Sequence, residues 1–272
     1  RKESVMGKAL DMMCSSPLEP FSTIIKGSID YKDIKDSNIV VITAGLARQP
    51  GMSREDLLQK NKEIMESVCK EITINAPKAI IIVVTNPLDV MCYVALQTTN
   101  FNKSKVIGMA GVLDSARLRY FIADELNVKP EEVEGLVLGA HGDSMVSLPK
   151  QTTVNGKKVT ELIKPERLAE IINRTANCGG EVVKYLKTGS AYYSPASSVV
   201  AMVKAIINDE KQLLPCSVYV EGEYDVEGIF LGLPTILGKN GIEEIKEIAI
   251  EEETKALLTQ SAEITKKNLE GI

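Results

Sequence analysis

Two continuous apolar runs, at residues 37–45 (SNIVVITAG) and 79–86 (AIIIVVTN), dominate the first half of the chain. Both are short, rich in isoleucine and valine, and end in small or polar residues, which is typical of strands buried on both faces of a parallel sheet. Between them, residues 54–73 place apolar side chains at helical spacing. A strand, a helix and a strand in this order predict a βαβ unit.

The pattern predicts a further strand at residues 105–109 and a helix at 113–126, and it changes character after residue 134. Short strands and helices then alternate without a repeat, and one strand pair turns at Asn155-Gly156. These elements are predicted at residues 136–138, 145–148, 152–159, 165–187, 195–208, 213–220, 228–231 and 251–269. We expect the helix at 165–187 to be interrupted near Cys178, where two glycines follow. The fold class is therefore α/β, a parallel sheet followed by a mixed α+β region.

Composition and charge narrow the function classes. The 272 residues are 44% hydrophobic and 25% charged, which suits one large α/β unit or two modest domains. A net charge of −5 argues against nucleic acid or an anionic membrane surface as the main partner. The longest apolar run is too short to span a bilayer. Five scattered cysteines without a CxxC spacing indicate reduced thiols in a cytosol-like compartment.

The segment after the first strand, residues 47–54 (ARQPGMSR), carries Arg48 and Arg54 around Pro50-Gly51. Ligands of open α/β sheets bind beyond the carboxyl ends of the strands, and a loop containing proline and glycine can move as a lid. A solvated surface loop with two ordinary arginines is the alternative interpretation.

Three more segments carry candidate chemistry, each with a structural alternative. In TNPLD (85–89), Asn86 either meets a ligand or caps the helix that Pro87 begins. In GVLDSARLR (111–119), Asp114 and Arg117 lie on one helix face, as in a surface ion pair. LGAHGDS (138–144) contains His141, the only histidine, between small residues.

Asn61 is a polar residue on the apolar stripe of the helix at 54–73. A buried amide needs hydrogen-bond partners. Either the backbone or a ligand at the strand ends could provide them.

The order and spacing of these segments resemble the lactate/malate dehydrogenase family, in particular its lactate dehydrogenase-like malate dehydrogenases. The similarity extends along the whole chain. TAGLARQPGMSR, VTNPLD, AGVLDSARLR and LGAHGDS look like four signature segments of the family, and LKTGSAYYSPA (186–196) looks like a fifth, which lines the substrate pocket.

The resemblance implies a role for each matching residue. His141 would exchange the proton of the substrate hydroxyl, and Asp114 would hold its imidazole. Arg117 would grip the C1 carboxylate, and Arg54 would polarise the carbonyl. Arg48 would take the second carboxylate of malate or oxaloacetate. Histidine, with an ordinary pKa near neutrality, and forked arginines suit these tasks.

The implied cofactor is NAD, with no metal. Its contacts would come from the strand ends and the following helix, where Asn86 would touch substrate as well. These cofactor-binding candidates are Gly45, Asn61, Val84, Thr85 and Asn86.

The implied activity is reversible oxidation of (S)-malate to oxaloacetate, in the cytoplasm and in the tricarboxylic acid cycle, by a homodimer or homotetramer. L-lactate dehydrogenase is the nearest alternative, and Arg48 argues against it, because lactate has no second carboxylate. A non-catalytic truncated subunit is the other alternative.

The chain departs from the family pattern at its start. The family begins with a strand, a Gly-rich turn and a helix, then a strand that ends in an acidic residue. This chain has no GxGxxG, so we expect about 35 residues to be missing before Arg1, including the pyrophosphate-binding turn. The expected domains are a partial, truncated Rossmann-type dinucleotide-binding domain at 1–110 and a substrate domain at 111–272. If the missing N-terminal segment is required for activity, the chain alone is expected to be inactive.

Overall fold

A computed structural model describes residues 2–46 and 54–272 of the chain. It contains a six-stranded sheet, two small sheets and helices on both sides of the large sheet. The helices are α1 (Lys2–Cys14), α2 (Arg54–Asn75), α3 (Leu88–Thr99), α4 (Gly111–Leu126), α5 (Val159–Leu162), α6 (Pro165–Leu186), α7 (Tyr193–Ile207) and α8 (Glu252–Leu269). The strands are β1 (Ile39–Ile42), β2 (Ile80–Val83), β3 (Val106–Gly108), β4 (Val133–Glu134), β5 (Val137–Leu138), β6 (Val146–Ser147), β7 (Thr153–Val154), β8 (Lys157–Lys158), β9 (Gln212–Glu221), β10 (Glu227–Gly238) and β11 (Gly241–Ile245).

The large sheet has the order β1-β2-β3-β9-β10-β11. Strands β1 to β3 are parallel, and β9 to β11 are antiparallel to one another. The two halves meet where Gly108 of β3 pairs with Ser217 of β9. The predicted α/β fold class, with parallel strands in the first half and a mixed second half, is confirmed.

Strand β2 shows why its sequence is a continuous apolar run. Ile80 and Ile82 belong to one hydrophobic core, whereas Ile81 and Val83 belong to another on the opposite face. Helices α2 and α3 cover the second face, and α7 and α8 contribute to the first. A strand covered on both sides requires apolar residues at consecutive positions rather than at alternate ones.

One local expectation was wrong, and one of the two interpretations of Asn86 is excluded. Helix α6 runs without a break from Pro165 to Leu186, through Cys178 and the two glycines. Each glycine destabilises a helix by about 1 kcal/mol relative to alanine. Helix α6 tolerates both glycines because it is long and buries Leu168 and Ile171 against α4. Helix α3 begins at Leu88, so Pro87 occupies its N-cap position, where no side chain makes a capping hydrogen bond. Asn86 therefore does not cap the helix.

Helix α1 is an element that the hydrophobic pattern left unassigned. It buries only Ala9 among the residues described here. Across the described ranges, no helix combines the length and the apolar character needed to cross a membrane.

Candidate active site

His141 and Asp114 form the centre of the candidate site. The imidazole Nδ1 lies 2.8 Å from Asp114 Oδ2, although the two residues are 27 positions apart. Asp114 is on the first turn of α4, and its side chain is only 2% exposed, whereas that of His141 is 17% exposed. Since an ionised carboxylate accepts the Nδ1 proton, Nε2 is the nitrogen left to exchange a proton with a bound molecule.

Arg117 lies beside this pair, one turn further along α4. Its Nη1 is 3.4 Å from Asp114 Oδ1, and its side chain is 11% exposed. Its Nε is buried and meets no hydrogen-bond partner in the described part of the chain. The backbone of α6 at Gly179 adjoins the guanidinium, since a Cβ there would lie 3.8 Å from Arg117 Nη2. Because Arg117 and Asp114 are largely buried, they do not form the surface ion pair considered above. The guanidinium of Arg117 keeps N–H donors that suit a carboxylate.

Hydrogen bonds to two distant elements fix the backbone of the loop that carries His141. Gly139 and Gly232 of β10 form an isolated bridge, with N to O distances of 2.8 and 3.0 Å. The Ala140 N–H donates to Ser261 Oγ of α8 at 2.8 Å. Gly139 has φ = 80°, a conformation that favours glycine. The histidine is thus held on a rigid loop.

Asp89 makes the third contact to this loop. Its Oδ2 accepts the backbone N–H of His141 at 2.9 Å, and its Oδ1 accepts the hydroxyl of Ser217 at 2.6 Å. Asp89 is 6% exposed and Ser217 is fully buried. Sequence reasoning missed Asp89, Ser217 and Ser261, because their partners are distant in sequence. The only signal was an acidic residue inside TNPLD, in an otherwise apolar helix.

Burial lowers the pKa of His141, but neighbouring carboxylates outweigh it. The charge and hydrogen bond of Asp114 raise the pKa, and the charge of Asp89 raises it further, while Arg117 lowers it. The net result is a pKa above the ordinary value for histidine. The site therefore stabilises the imidazolium that forms when His141 takes a proton.

The predicted residues at the strand ends divide into exposed and buried ones. Gly45 and Asn86 are exposed and Val84 is half-buried, whereas Thr85 and Asn61 are buried. The Thr85 hydroxyl donates to the Ala44 carbonyl at 2.7 Å.

The backbone provides the partners of Asn61. Its amide NH₂ donates to the carbonyls of Leu46 and Asn86, at 3.2 and 2.8 Å, and its oxygen accepts the Leu46 N–H at 2.7 Å. Asn61 thereby ties the segment after β1 to the segment after β2.

Two predicted arginines cannot be compared with this geometry. Arg48 lies outside the described residues, as does the side chain of Arg54, whose backbone begins α2. Within residues 2–46 and 54–272, no group of three or more His, Cys, Asp or Glu is arranged to hold a metal ion. All five cysteines are free thiols, and Cys69, Cys92 and Cys216 are buried.

Comparison with known proteins places this fold and site in a family. Residues 1–108 match the lactate/malate dehydrogenase, NAD binding domain, and residues 111–272 match the lactate/malate dehydrogenase, alpha/beta C-terminal domain. The chain therefore belongs to the lactate/malate dehydrogenase family, whose members are NAD-dependent dehydrogenases. The family predicted from the four motifs, and with it an enzyme that uses NAD, is confirmed.

Some of the similar proteins are named malate dehydrogenase, and others are named lactate dehydrogenase. A malate dehydrogenase from Chlorobium limicola is 51% identical over 98% of this chain and 86% of its own length. The apo structure of malate dehydrogenase from Picrophilus torridus is 41% identical with a TM-score of 0.94, covering 98% of this chain and 85% of that one. A lactate dehydrogenase from Cryptosporidium parvum, solved with lactic acid and nicotinamide adenine dinucleotide, is 38% identical with the same TM-score, covering 98% of this chain and 86% of its own.

Proposed function

We propose that this chain catalyses the reversible NAD-dependent oxidation of (S)-malate to oxaloacetate. The observation that carries the proposal is the buried contact of His141 with Asp114, 2.8 Å long, beside the partly unpaired guanidinium of Arg117. This arrangement combines a proton acceptor and a carboxylate-binding group in one site. Sequence identity of about half to proteins named malate dehydrogenase supports the choice of substrate.

His141 acts as the general base in malate oxidation. Its Nε2 takes the proton of the C2 hydroxyl as that carbon becomes a carbonyl. Asp114 fixes the imidazole tautomer and stabilises the imidazolium that forms, because its carboxylate accepts the Nδ1 proton. In the reverse direction, His141 returns the proton to the oxygen, and Arg54 stabilises the negative charge that grows there.

Two arginines hold the substrate. Arg117 binds the C1 carboxylate with donors that Asp114 leaves free. Arg48 pairs with the second carboxylate, which malate and oxaloacetate have and lactate and pyruvate lack. A guanidinium suits this task because it binds a carboxylate through two parallel hydrogen bonds.

When bound, NAD would supply the hydride acceptor that this oxidation requires. The strand ends fit such a group in two respects. Gly45 and Asn86 are exposed there, and the amide of Asn86 can both donate and accept hydrogen bonds. A side chain at position 45 would lie 2.6 Å from Thr85 Cγ2, so glycine is needed where the two segments approach. Asn61, Val84 and Thr85 shape this surface, and the buried amide of Asn61 does so by fixing the backbone.

The remaining assignments belong to the same proposal. Residues 1–110 form the dinucleotide-binding domain and residues 111–272 the substrate domain. The protein works as a homodimer or homotetramer in the cytoplasm and serves the tricarboxylic acid cycle. L-lactate dehydrogenase is the second candidate, because a structure with that name superposes equally well.

His141→Asn tests the proposal in the full native chain, including any residues that precede Arg1. The variant should lower kcat for malate by at least about 10²-fold while folding normally, because a positioned acid/base contributes that much. Asp143→Asn is the matched control, since Asp143 is exposed on the same loop. Near-normal turnover by folded His141→Asn would remove His141 from the mechanism.

A further inference from the structure

Asp89 is a buried carboxylate to which the proposed mechanism assigns no role. It lies in the first turn of α3, where both its oxygens accept hydrogen bonds, one from the His141 backbone and one from Ser217. Burial raises the pKa of Asp89 above its ordinary value, and the hydrogen bonds from Ser217 and His141 offset only part of that rise. A buried carboxylate is expensive unless it is well hydrogen-bonded, so a simpler residue would be expected if only packing mattered.

The neighbouring loop contacts show that a charge is not needed to hold a backbone N–H. The N–H of Gly139 is held by the carbonyl of Gly232, and that of Ala140 by the hydroxyl of Ser261. Both acceptors are neutral. Only at His141 is the acceptor a carboxylate. The feature that distinguishes Asp89 is therefore its charge, next to the residue whose protonation drives the reaction.

We propose that Asp89 is a positioning residue for the reaction, whose carboxylate holds the His141 backbone and supplies a second negative charge that stabilises the imidazolium. Its catalytic consequence rests on the proposed function, but its effect on His141 does not. Asp89 acts through the loop and through the electric field, since its oxygens are occupied by His141 and Ser217.

The described charges around His141 come from two helices. Helix α4 supplies Asp114 and Arg117, and α3 supplies Asp89. The contacts from α8 and β10 are neutral. Burial lowers the pKa of His141, and Asp114 followed by Asp89 raises it. Removing the Asp89 charge should therefore lower the pKa of His141, by less than removing the Asp114 charge does.

His141 is the only histidine among the 272 residues, so in this chain its imidazole Hε1 proton gives one NMR signal that needs no assignment. The protein is prepared without a polyhistidine tag and titrated as wild type, Asp89→Asn, Asp114→Asn and Ser261→Ala. Asp89→Asn retains the shape and an oxygen acceptor for the His141 N–H, and its NH₂ can donate to Ser217. Ser261→Ala is the matched control, because it removes a neutral loop contact.

We expect the His141 titration to move to lower pH in Asp89→Asn, to move further in Asp114→Asn, and to stay in place in Ser261→Ala. An unchanged titration in folded Asp89→Asn would overturn the proposal. An equal shift in Asp89→Asn and Ser261→Ala would also overturn it, because loop displacement rather than charge would then set the pKa.

Malate oxidation gives the second readout. Neutral His141 is the base, so kcat falls as the pH drops through its pKa, and this fall should move to lower pH in Asp89→Asn with little change in KM. If wild type does not oxidise malate, the proposed function fails while the NMR shift still decides the role of Asp89. If wild type oxidises malate but neither profile moves in Asp89→Asn, the role of Asp89 fails while the function stands.

Discussion

Gly232→Ala should displace the loop that carries His141, because Gly232 of β10 is the bridge partner of Gly139. A Cβ at position 232 would collide with the carbonyl oxygen of Gly139, so one of the two backbones must move. The bridge between them consists of two hydrogen bonds, each contributing about 1 kcal/mol net. Overpacking adds about 1–3 kcal/mol. Together these effects should lower the free energy of unfolding by about 3–5 kcal/mol.

The same change should lower turnover. His141 is two residues beyond Gly139, and misplacing a catalytic group by about 1 Å can reduce the rate by about 10²-fold. Urea denaturation measures the stability, and steady-state malate oxidation by the full native chain measures kcat. Gly7→Ala is the control: its Cβ meets nothing within 4 Å in exposed α1, so it should stabilise by about 0.5–1 kcal/mol and leave kcat unchanged. If Gly232→Ala were as stable and as active as Gly7→Ala, the bridge could not be what holds the loop.

Three further changes probe the site itself. Asp114→Asn should lower kcat by about 10²-fold or more. Because the substitution lowers the pKa of His141, the loss of oxaloacetate reduction at high pH should move to lower pH. An unshifted pH–rate profile would contradict the His141–Asp114 contact. Arg117→Lys should raise KM for malate more than it lowers kcat, because an ammonium cannot bind a carboxylate through a fork; unchanged KM would place the C1 carboxylate elsewhere. Arg48→Gln should lower kcat/KM for oxaloacetate by several orders of magnitude, on the order of 10⁴-fold, while pyruvate turnover holds or rises. A variant that keeps its oxaloacetate preference would show that Arg48 does not select the substrate.

Local pattern predicted most of the fold because the strands and helices are encoded in short stretches. The run at 79–86 became β2, and the stripe at 54–73 became most of α2. Helix α6 was harder, because two glycines are a local signal for a break while its packing against α4 is a property of the tertiary structure. The pairing of Gly108 with Ser217 likewise joins segments that no local pattern connects.

The candidate site divides in the same way. His141, Asp114 and Arg117 were predicted as site residues because their motifs resemble those of the family, and the structure brings their side chains together. Asp89 and Ser261 contact the loop across 52 and 121 positions, so only the folded chain brings them to it. Residues that orient a catalytic group need no distinctive chemistry of their own, which is why sequence reasoning passes over them.

The relative kcat/KM for oxaloacetate and pyruvate, measured with NADH on the full native chain, tests the proposed function most directly. If Arg117 and Arg48 each pair with one carboxylate, as proposed, the enzyme should prefer oxaloacetate by about 10⁴-fold, because pyruvate has no second carboxylate to pair with Arg48. An active enzyme that prefers pyruvate, or treats the two keto acids alike, would contradict the malate assignment and favour lactate dehydrogenase.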